Sequence, residues 1–174
     1  LYFVGITATD GTELWKSDGT TGGTTMVTDI FPGPDPATPA SPASSTPTNL
    51  TAFGTRLVFA ATSSAEGTEL WITDGSVAGT TLIKDIHVGV TGSVANSSLP
   101  TPLGVLGTTL LFAANDGVVG TELWKTDGTT AGTSLLMDIN NLGASNGVDS
   151  FGGSVVFDGE VFFLAETQAQ GKEL

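Results

Sequence analysis

The chain has 174 residues, with 18 acidic and 5 basic side chains, a formal charge of −13 and no cysteine. Such a surface repels nucleic acid and anionic lipid, and the lack of cysteine excludes disulfides, thiolate zinc sites and cysteine nucleophiles. No apolar run approaches the roughly 20 residues that a membrane helix needs. The composition suits an extracellular protein, and we expect neither nucleic-acid binding nor membrane insertion.

One block of sequence recurs along the chain. GTELWKSDGTTGGT begins at Gly11, GTELWITDGSVAGT at Gly67 and GTELWKTDGTTAGT at Gly120, and Gly171 opens a fourth copy. The block divides the chain into repeats 1–56, 57–109 and 110–160 and the first part of a fourth, 161–174. A catalytic group is needed once, whereas stacked units need their framework residues in every copy. The repetition therefore predicts a scaffold. Because the last copy of the motif is unfinished, we expect this sequence to be a piece of a longer chain.

In chain order, each repeat predicts four short strands. An apolar run such as LYFVG comes first, TELW second, and TTMVTDI third after a turn rich in Asp and Gly. A fourth strand such as NLTAFG leads into the next repeat through tight hairpins, which we expect at 54–56, 107–109 and 158–160. Helical periodicity is absent. The fold class is therefore all-β, with repeated four-stranded antiparallel units arranged as β-propeller-like blades or, alternatively, as a linear stack of small sheets.

The motif, here ELWKSDGT, ELWITDGS and ELWKTDGT, resembles the bacterial ELWxxDGT repeat over essentially the whole chain. The resemblance implies a large, exported, propeller-like β protein, located outside the cell or on its surface. It supplies no catalytic residues. Departures from the pattern are Gly22 for Ala, Ser76 for Thr and Lys172 for Thr.

The repeated acidic and aromatic residues allow two interpretations. We interpret the following as structural repeat positions, with buried tryptophans and hydrogen-bonded glutamates: Glu13, Glu69, Glu122, Trp15, Trp71 and Trp124. The tryptophans could instead stack on sugars. The aspartates supply the hard oxygen ligands of Ca²⁺, but they lack a spaced calcium loop and also suit turn capping. The weak calcium candidates are Asp18, Asp74, Asp127, Asp29, Asp85 and Asp138. No cofactor besides Ca²⁺ is expected.

Repeat 1 contains a Pro/Ser/Thr-rich loop, 31–49, that holds six of the eight prolines. This composition predicts an extended, irregular segment without a core of its own and is typical of O-glycosylated stalks. A bare loop stiffened by proline is the alternative. Two Asn-x-Ser/Thr patterns add possible sites. The possible acceptors are Thr38, Ser41, Ser44, Ser45, Thr46, Thr48, Asn49 and Asn96.

Three functions follow, in order of preference. The first is a non-catalytic extracellular structural or adhesive protein that forms part of a surface filament. Its partner would be a second copy or the rest of a longer chain, bound through the Leu1 strand and Val161–Leu174. The second is a propeller module that binds calcium or glycans. The third is a fragment of a propeller enzyme, which the single His87 and the repeated acids disfavour.

Overall fold

A computed structural model describes residues 1–141, 143, 145–148, 153–167 and 170–174. All regular secondary structure within these ranges is β-strand. The strands are β1 Tyr2–Thr7, β2 Gly11–Lys16, β3 Thr25–Thr28, β4 Thr48–Phe53, β5 Arg56–Ser63, β6 Gly67–Thr73, β7 Thr81–Lys84, β8 Val90–Thr91, β9 Val94–Ala95, β10 Thr101–Leu106, β11 Thr109–Asn115, β12 Thr121–Thr126, β13 Ser134–Met137, β14 Ser154–Phe157, β15 Glu160–Phe163, β16 Ala165–Thr167 and β17 Gly171–Glu173.

The strands form small antiparallel sheets in which neighbours along the chain are neighbours in space. Sheet 1 is β1-β2-β3, sheet 2 is β4-β5-β6-β7 and sheet 3 is β10-β11-β12-β13. The pairs β14-β15, β16-β17 and β8-β9 are separate two-stranded ribbons. The prediction of an all-β fold with four-stranded antiparallel units is confirmed in sheets 2 and 3. Each of these sheets takes its first strand from the end of one sequence repeat and the other three from the next.

The predicted hairpins are also present. β4 turns into β5 so that Phe53 pairs with Arg56, and β10 turns into β11 so that Leu106 pairs with Thr109. Gly54 and Gly107 both have a φ of +61°, which favours glycine in these tight turns. The third hairpin joins β14 to β15 through Asp158 and Gly159. The strand predicted at 161–165 is divided, because β15 ends at Phe163 and β16 begins at Ala165.

Sheets 2 and 3 bury apolar side chains on both faces, although most of β13 is exposed, which explains why their central strands are apolar without alternation. In sheet 2, Leu57, Phe59 and Ala61 pack against sheet 1. The neighbouring residues Val58, Leu70 and Ile72 point the other way and pack against sheet 3. Successive side chains of a strand point to opposite faces. The core is therefore a series of layers between sheets, each contributed by two consecutive repeats.

The loop 31–49 departs from its predicted character at its C-terminal end. Ala43 is 3% exposed and Ser45 is fully buried. β4 begins at Thr48, so the last two residues of the predicted loop belong to a strand. The stretch 43–49 has no core of its own but lies between two sheets, to which hydrogen bonds hold it. The earlier part is largely exposed, with a single bridge between Pro34 and Pro42.

Candidate functional site

The main recurring site is a buried glutamate that binds the loop entering the next sheet. Glu69 on β6 has no exposed surface. Its Oε1 accepts from Ser98 N at 2.8 Å and its Oε2 accepts from Ser98 Oγ at 2.5 Å. The main-chain N–H groups of Ile86 and His87 donate to the same carboxylate at 3.2 and 3.4 Å. Four donors thus compensate the desolvation of one buried anion.

The first repeat has the same arrangement. Glu13 on β2 accepts from Ser45 N at 2.8 Å, from Ser45 Oγ at 2.5 Å and from Ile30 N at 3.2 Å. Ser45 lies 32 residues beyond Glu13 and Ser98 lies 29 beyond Glu69. Loops of different length therefore deliver a serine to the same place.

Each of these serines follows a second serine, and the two act together. We call Ser44–Ser45 and Ser97–Ser98 the serine pairs. Ser44 Oγ accepts from Thr12 N at 3.0 Å, and Ser97 Oγ accepts from Thr68 N at 2.9 Å. These bonds attach the first serine of each pair to the strand that carries the glutamate.

The carbonyl of the second serine reaches the following sheet. Ser45 O accepts from Thr62 N of β5 at 2.8 Å, and Ser98 O accepts from Asn115 N of β11 at 3.0 Å. One short segment therefore bonds the glutamate of one sheet and the backbone of the next. Because buried polar groups that are fully bonded favour one arrangement over others, these contacts fix how consecutive sheets meet.

Sequence reasoning found the glutamates and expected them to accept hydrogen bonds between sheets, but it missed the serine pairs. The sequence did contain a signal for the serine pairs. Both variable loops end in Ser-Ser-x-Pro, as SSTP at Ser44 and SSLP at Ser97. The residue after each pair has positive φ, +43° at Thr46 and +51° at Leu99. The variable loops hid the pattern because their lengths differ.

The third repeat departs from this design. Asn146 and Gly147 occupy the place of the serine pair, and Asn146 Oδ1 accepts from Thr121 N at 2.8 Å. Gly147 has no hydroxyl, and its N–H donates to Thr121 O at 3.0 Å. Ile139 N donates to Glu122 Oε2 at 2.7 Å, while Oε1 has no hydrogen-bond partner among the described residues. A Cβ on Gly147 would lie 2.3 Å from Glu122 Oε2, so the loop approaches too closely for serine.

Burial controls the protonation of all three glutamates. Burial raises the pKa of Glu13 and of Glu69, and the serine and main-chain donors oppose that rise. Burial also raises the pKa of Glu122, the Ile139 N–H opposes the rise, and the nearby Asp138 carboxylate adds to it. The Asp29 carboxylate likewise adds to the rise at Glu13, and among the described residues Glu122 differs in having no serine hydroxyl among its donors.

Each tryptophan lies two residues after a glutamate on the same strand, and Trp71 and Trp124 face the preceding sheet. Trp71 packs in the layer between sheets 1 and 2, and Trp124, 7% exposed, packs between sheets 2 and 3. In sheet 1 the indole of Trp15 lies over Gly5, where a Cβ would be 2.6 Å from Trp15 Cδ1. Each indole Nε1 is buried without a partner among the described residues. Trp124 therefore occupies a core position, and the partly buried Trp71 packs against the core between sheets 1 and 2.

The Asp-Gly turns are closed hydrogen-bond networks. Asp74 Oδ1 accepts from Ser76 N at 2.8 Å and from Ser76 Oγ at 2.7 Å, and Ser76 Oγ in turn accepts from Gly79 N at 3.0 Å. A Cβ on Gly79 would lie 2.1 Å from Asp74 Oδ1, so this position requires glycine. The bonds from Ser76 hold the pKa of the exposed Asp74 below its ordinary value. Asp18 and Asp127 make the same contacts with Thr20 and Thr129.

The second set of aspartates follows the third strands. Burial raises the pKa of Asp29 and Asp85, and the Asp10 and Glu66 carboxylates, respectively, add to it. Oδ1 of Asp29, Asp85 and Asp138 has no hydrogen-bond partner in the described chain. Across the described ranges, no group of three or more His, Asp or Glu side chains could hold a metal ion. Calcium binding stays a prediction.

The possible glycosylation acceptors differ in exposure. Thr38, Ser41, Thr46, Thr48 and Asn49 are exposed. Ser45 is buried and its hydroxyl is bonded to Glu13, so a glycosyltransferase could not reach it in the folded chain. Asn49 Nδ2 donates to Pro100 O at 3.1 Å, and Asn96 Oδ1 accepts from Thr91 Oγ1 at 2.7 Å. Both side-chain amides therefore have structural contacts, one of them to a residue 51 positions away.

Comparison with protein-family models found no match. Comparisons with curated proteins and with solved structures likewise found none. The search of the described residues for a helix long and apolar enough to cross a membrane was also negative.

Proposed function

We propose that this protein is a non-catalytic, extracellular structural or adhesive β-repeat protein of the ELWxxDGT type. The observation that carries the proposal is the hydrogen bonding of the glutamates. Glu13 and Glu69 are buried and have their carboxylates bonded to serine pairs. A buried carboxylate surrounded by donors cannot reach a substrate, and it recurs because every sheet is attached to the next in the same way.

The other motif residues support the same conclusion. Trp71 and Trp124 pack in layers between sheets, and the Asp-Gly-Thr turns bond to themselves. Ser17, Thr73 and Thr126 each bond the threonine that closes the turn, at 2.7 Å. The repeated block is therefore accounted for by folding, without reference to a ligand.

A propeller is the arrangement we favour for the whole assembly. The first strands of neighbouring sheets approach one another, β4 to β10 and β10 to β14, within 8 Å between Cα atoms. Asn49 reaches Pro100 O beside β10, and Ser154 Oγ donates to Leu103 O at 2.6 Å. Sheets that converge at their first strands radiate from a common axis, as propeller blades do.

Electron microscopy of the native material at side-chain resolution tests the proposal. We expect the chain within continuous surface fibres or a larger extracellular assembly, with Glu69 bonded to Ser98 as described. Isolated soluble particles that turn over a substrate at a site on this chain would overturn it. Cell fractionation provides the check on location, since a protein confined to the cytoplasm would contradict an extracellular role.

A further inference from the structure

The third repeat has a set of unpaired oxygens where the first two repeats have a serine pair. We propose that this repeat binds one Ca²⁺ ion through Glu122, Asp138 and Asn140. The site departs from the repeated framework, because neither repeat 1 nor repeat 2 presents the same three oxygens. The inference goes beyond the proposed structural function and does not depend on it.

Three buried oxygens of this repeat have no hydrogen-bond partner among the described residues: Glu122 Oε1, Asp138 Oδ1 and Asn140 Oδ1. Glu122 has no exposed surface, and Asn140 is 8% exposed. Only two of the three are carboxylates, so the set is smaller than a group of three acidic or histidine side chains, of which the described ranges contain none. A buried polar atom without a partner destabilises the folded chain. Three such acceptors in one place therefore indicate a ligand that attracts oxygen atoms.

The backbone brings the three residues together. Ile139, which lies between the two loop residues in the chain, donates its N–H to Glu122 Oε2 at 2.7 Å. A Cβ on Gly147 would lie 2.3 Å from Glu122 Oε2 and 2.7 Å from Asn140 N, so Asn140 lies against the same carboxylate. The Asp138 carboxylate is close enough to raise the pKa of Glu122. The residues on either side of Ile139 are thus held next to one buried carboxylate.

These atoms have the chemistry that Ca²⁺ prefers. Carboxylate and amide oxygens are hard ligands, and main-chain carbonyls and water complete the roughly six to eight ligands that Ca²⁺ takes. Asn140 Nδ2 donates to Asn146 O at 3.2 Å, so the amide oxygen is the atom left without a partner. Two neighbouring carboxylates repel each other unless a proton or a cation lies between them. A bound Ca²⁺ would relieve this repulsion, which in the ion-free chain favours a proton on Glu122.

Repeats 1 and 2 lack this set of oxygens. Phe31 and His87 occupy the position of Asn140, and their side chains supply no oxygen. In both repeats a serine hydroxyl bonds the buried glutamate, and only the aspartate after the third strand keeps an unpaired carboxylate oxygen among the described residues. A ligand site is needed once, whereas a framework contact is needed in every copy. We therefore expect one ion per chain, bound in repeat 3.

The first experiment measures thermal unfolding by circular dichroism after a chelator has removed metal ions. CaCl₂ should raise the melting temperature in a saturable way, with a dissociation constant of about 10⁻³ M or tighter. MgCl₂ at the same ionic strength controls for general screening of the acidic chain and should have a smaller effect. Glu122→Gln should lose the calcium response, and Glu69→Gln, the matched control in repeat 2, should keep it. An equal response to both salts, no response, or the same response in both variants would overturn the proposal.

The second experiment changes Asn140 and measures Ca²⁺ binding by isothermal titration calorimetry. We expect one ion per wild-type chain. Asn140→Ala should weaken binding by roughly tenfold or more, because it removes one of the three oxygens. Asn140→Asp should lower the dissociation constant, because it adds a third carboxylate to the site, and misfolding cannot imitate such a gain of affinity. Several ions per chain, unchanged binding in Asn140→Ala, or weaker binding in Asn140→Asp would reject this set of ligands.

Discussion

Ser98 holds Glu69 through two donors, its main-chain N–H to Oε1 at 2.8 Å and its hydroxyl to Oε2 at 2.5 Å. The same serine gives its carbonyl to Asn115 of the next sheet. A residue in a variable loop thus completes a framework contact. Ser98 therefore attaches one sheet to the next from a position outside the repeated motif.

Removing the hydroxyl should destabilise the protein. Ser98→Ala takes one donor from a buried carboxylate, and we expect a loss of about 2 kcal/mol in the free energy of unfolding, measured by urea denaturation. Ser93→Ala, at an exposed position of the same loop, is the control and should change little. A double-mutant cycle with Glu69→Gln should show coupling between the two residues. Additive effects would argue against the bond as a source of stability.

Glu122 should make stability fall as pH rises. Burial raises its pKa above the ordinary value of 4.5. The unfolded chain therefore releases this proton first, so the stabilisation is complete below about pH 4.5 and is lost as pH rises through the higher folded-state pKa. Glu122→Gln, which keeps a neutral side chain, should become progressively more stable than the wild type as pH increases.

Urea denaturation of both proteins between roughly pH 4 and pH 8 measures the effect. Glu69→Gln is the matched comparison, because burial raises the pKa of Glu69 as well but its carboxylate also accepts two hydrogen bonds from Ser98. We expect this control to be less stable than the wild type near neutral pH. A difference between Glu122→Gln and the wild type that does not vary with pH would contradict the raised pKa.

The paired glycines of the first turn should respond in opposite directions. A Cβ on Gly23 would lie 2.0 Å from Asp18 Oδ1, so Gly23→Ala should cost about 1–3 kcal/mol through overpacking. Gly22 has open space around its Cβ position, and its repeat equivalents are Ala78 and Ala131. Gly22→Ala should therefore stabilise by about 0.4–1 kcal/mol. Thermal unfolding of the two variants measures both effects. Equal decreases in stability would show that the Asp18 carboxylate does not fill the space beside Gly23.

The tryptophans should differ in importance according to what covers them. Trp124 is 7% exposed between two sheets, so Trp124→Ala should cost about 3–5 kcal/mol. Trp15 faces the uncovered side of sheet 1. Trp15→Ala should therefore lower the free energy of unfolding clearly less than Trp124→Ala does. Urea denaturation at a concentration where the chain is monomeric makes the comparison. A larger loss for Trp15 would mean that its face is covered within the monomer.

The sequence determined the local structure because the determining interactions are local. Alternating and apolar runs specify strands, Gly54 and Gly107 specify tight hairpins, and Asp74 with Ser76 specifies a turn whose bonds span two residues. Exact repetition also showed that glutamate and tryptophan belong to the framework. These features required no knowledge of which residues meet across long distances.

Only the tertiary structure decided how the sheets are attached. Glu13 and Ser45 are 32 residues apart, and the loops that bring glutamates to serines differ in length from repeat to repeat. Spacing therefore could not identify the partner. Nor could it show that, among the described residues, Oε1 of Glu122 lacks a hydrogen-bond partner. The exposed faces at Trp15 and Phe157 became visible only when the stack was assembled, because exposure depends on packing neighbours that a strand pattern does not specify.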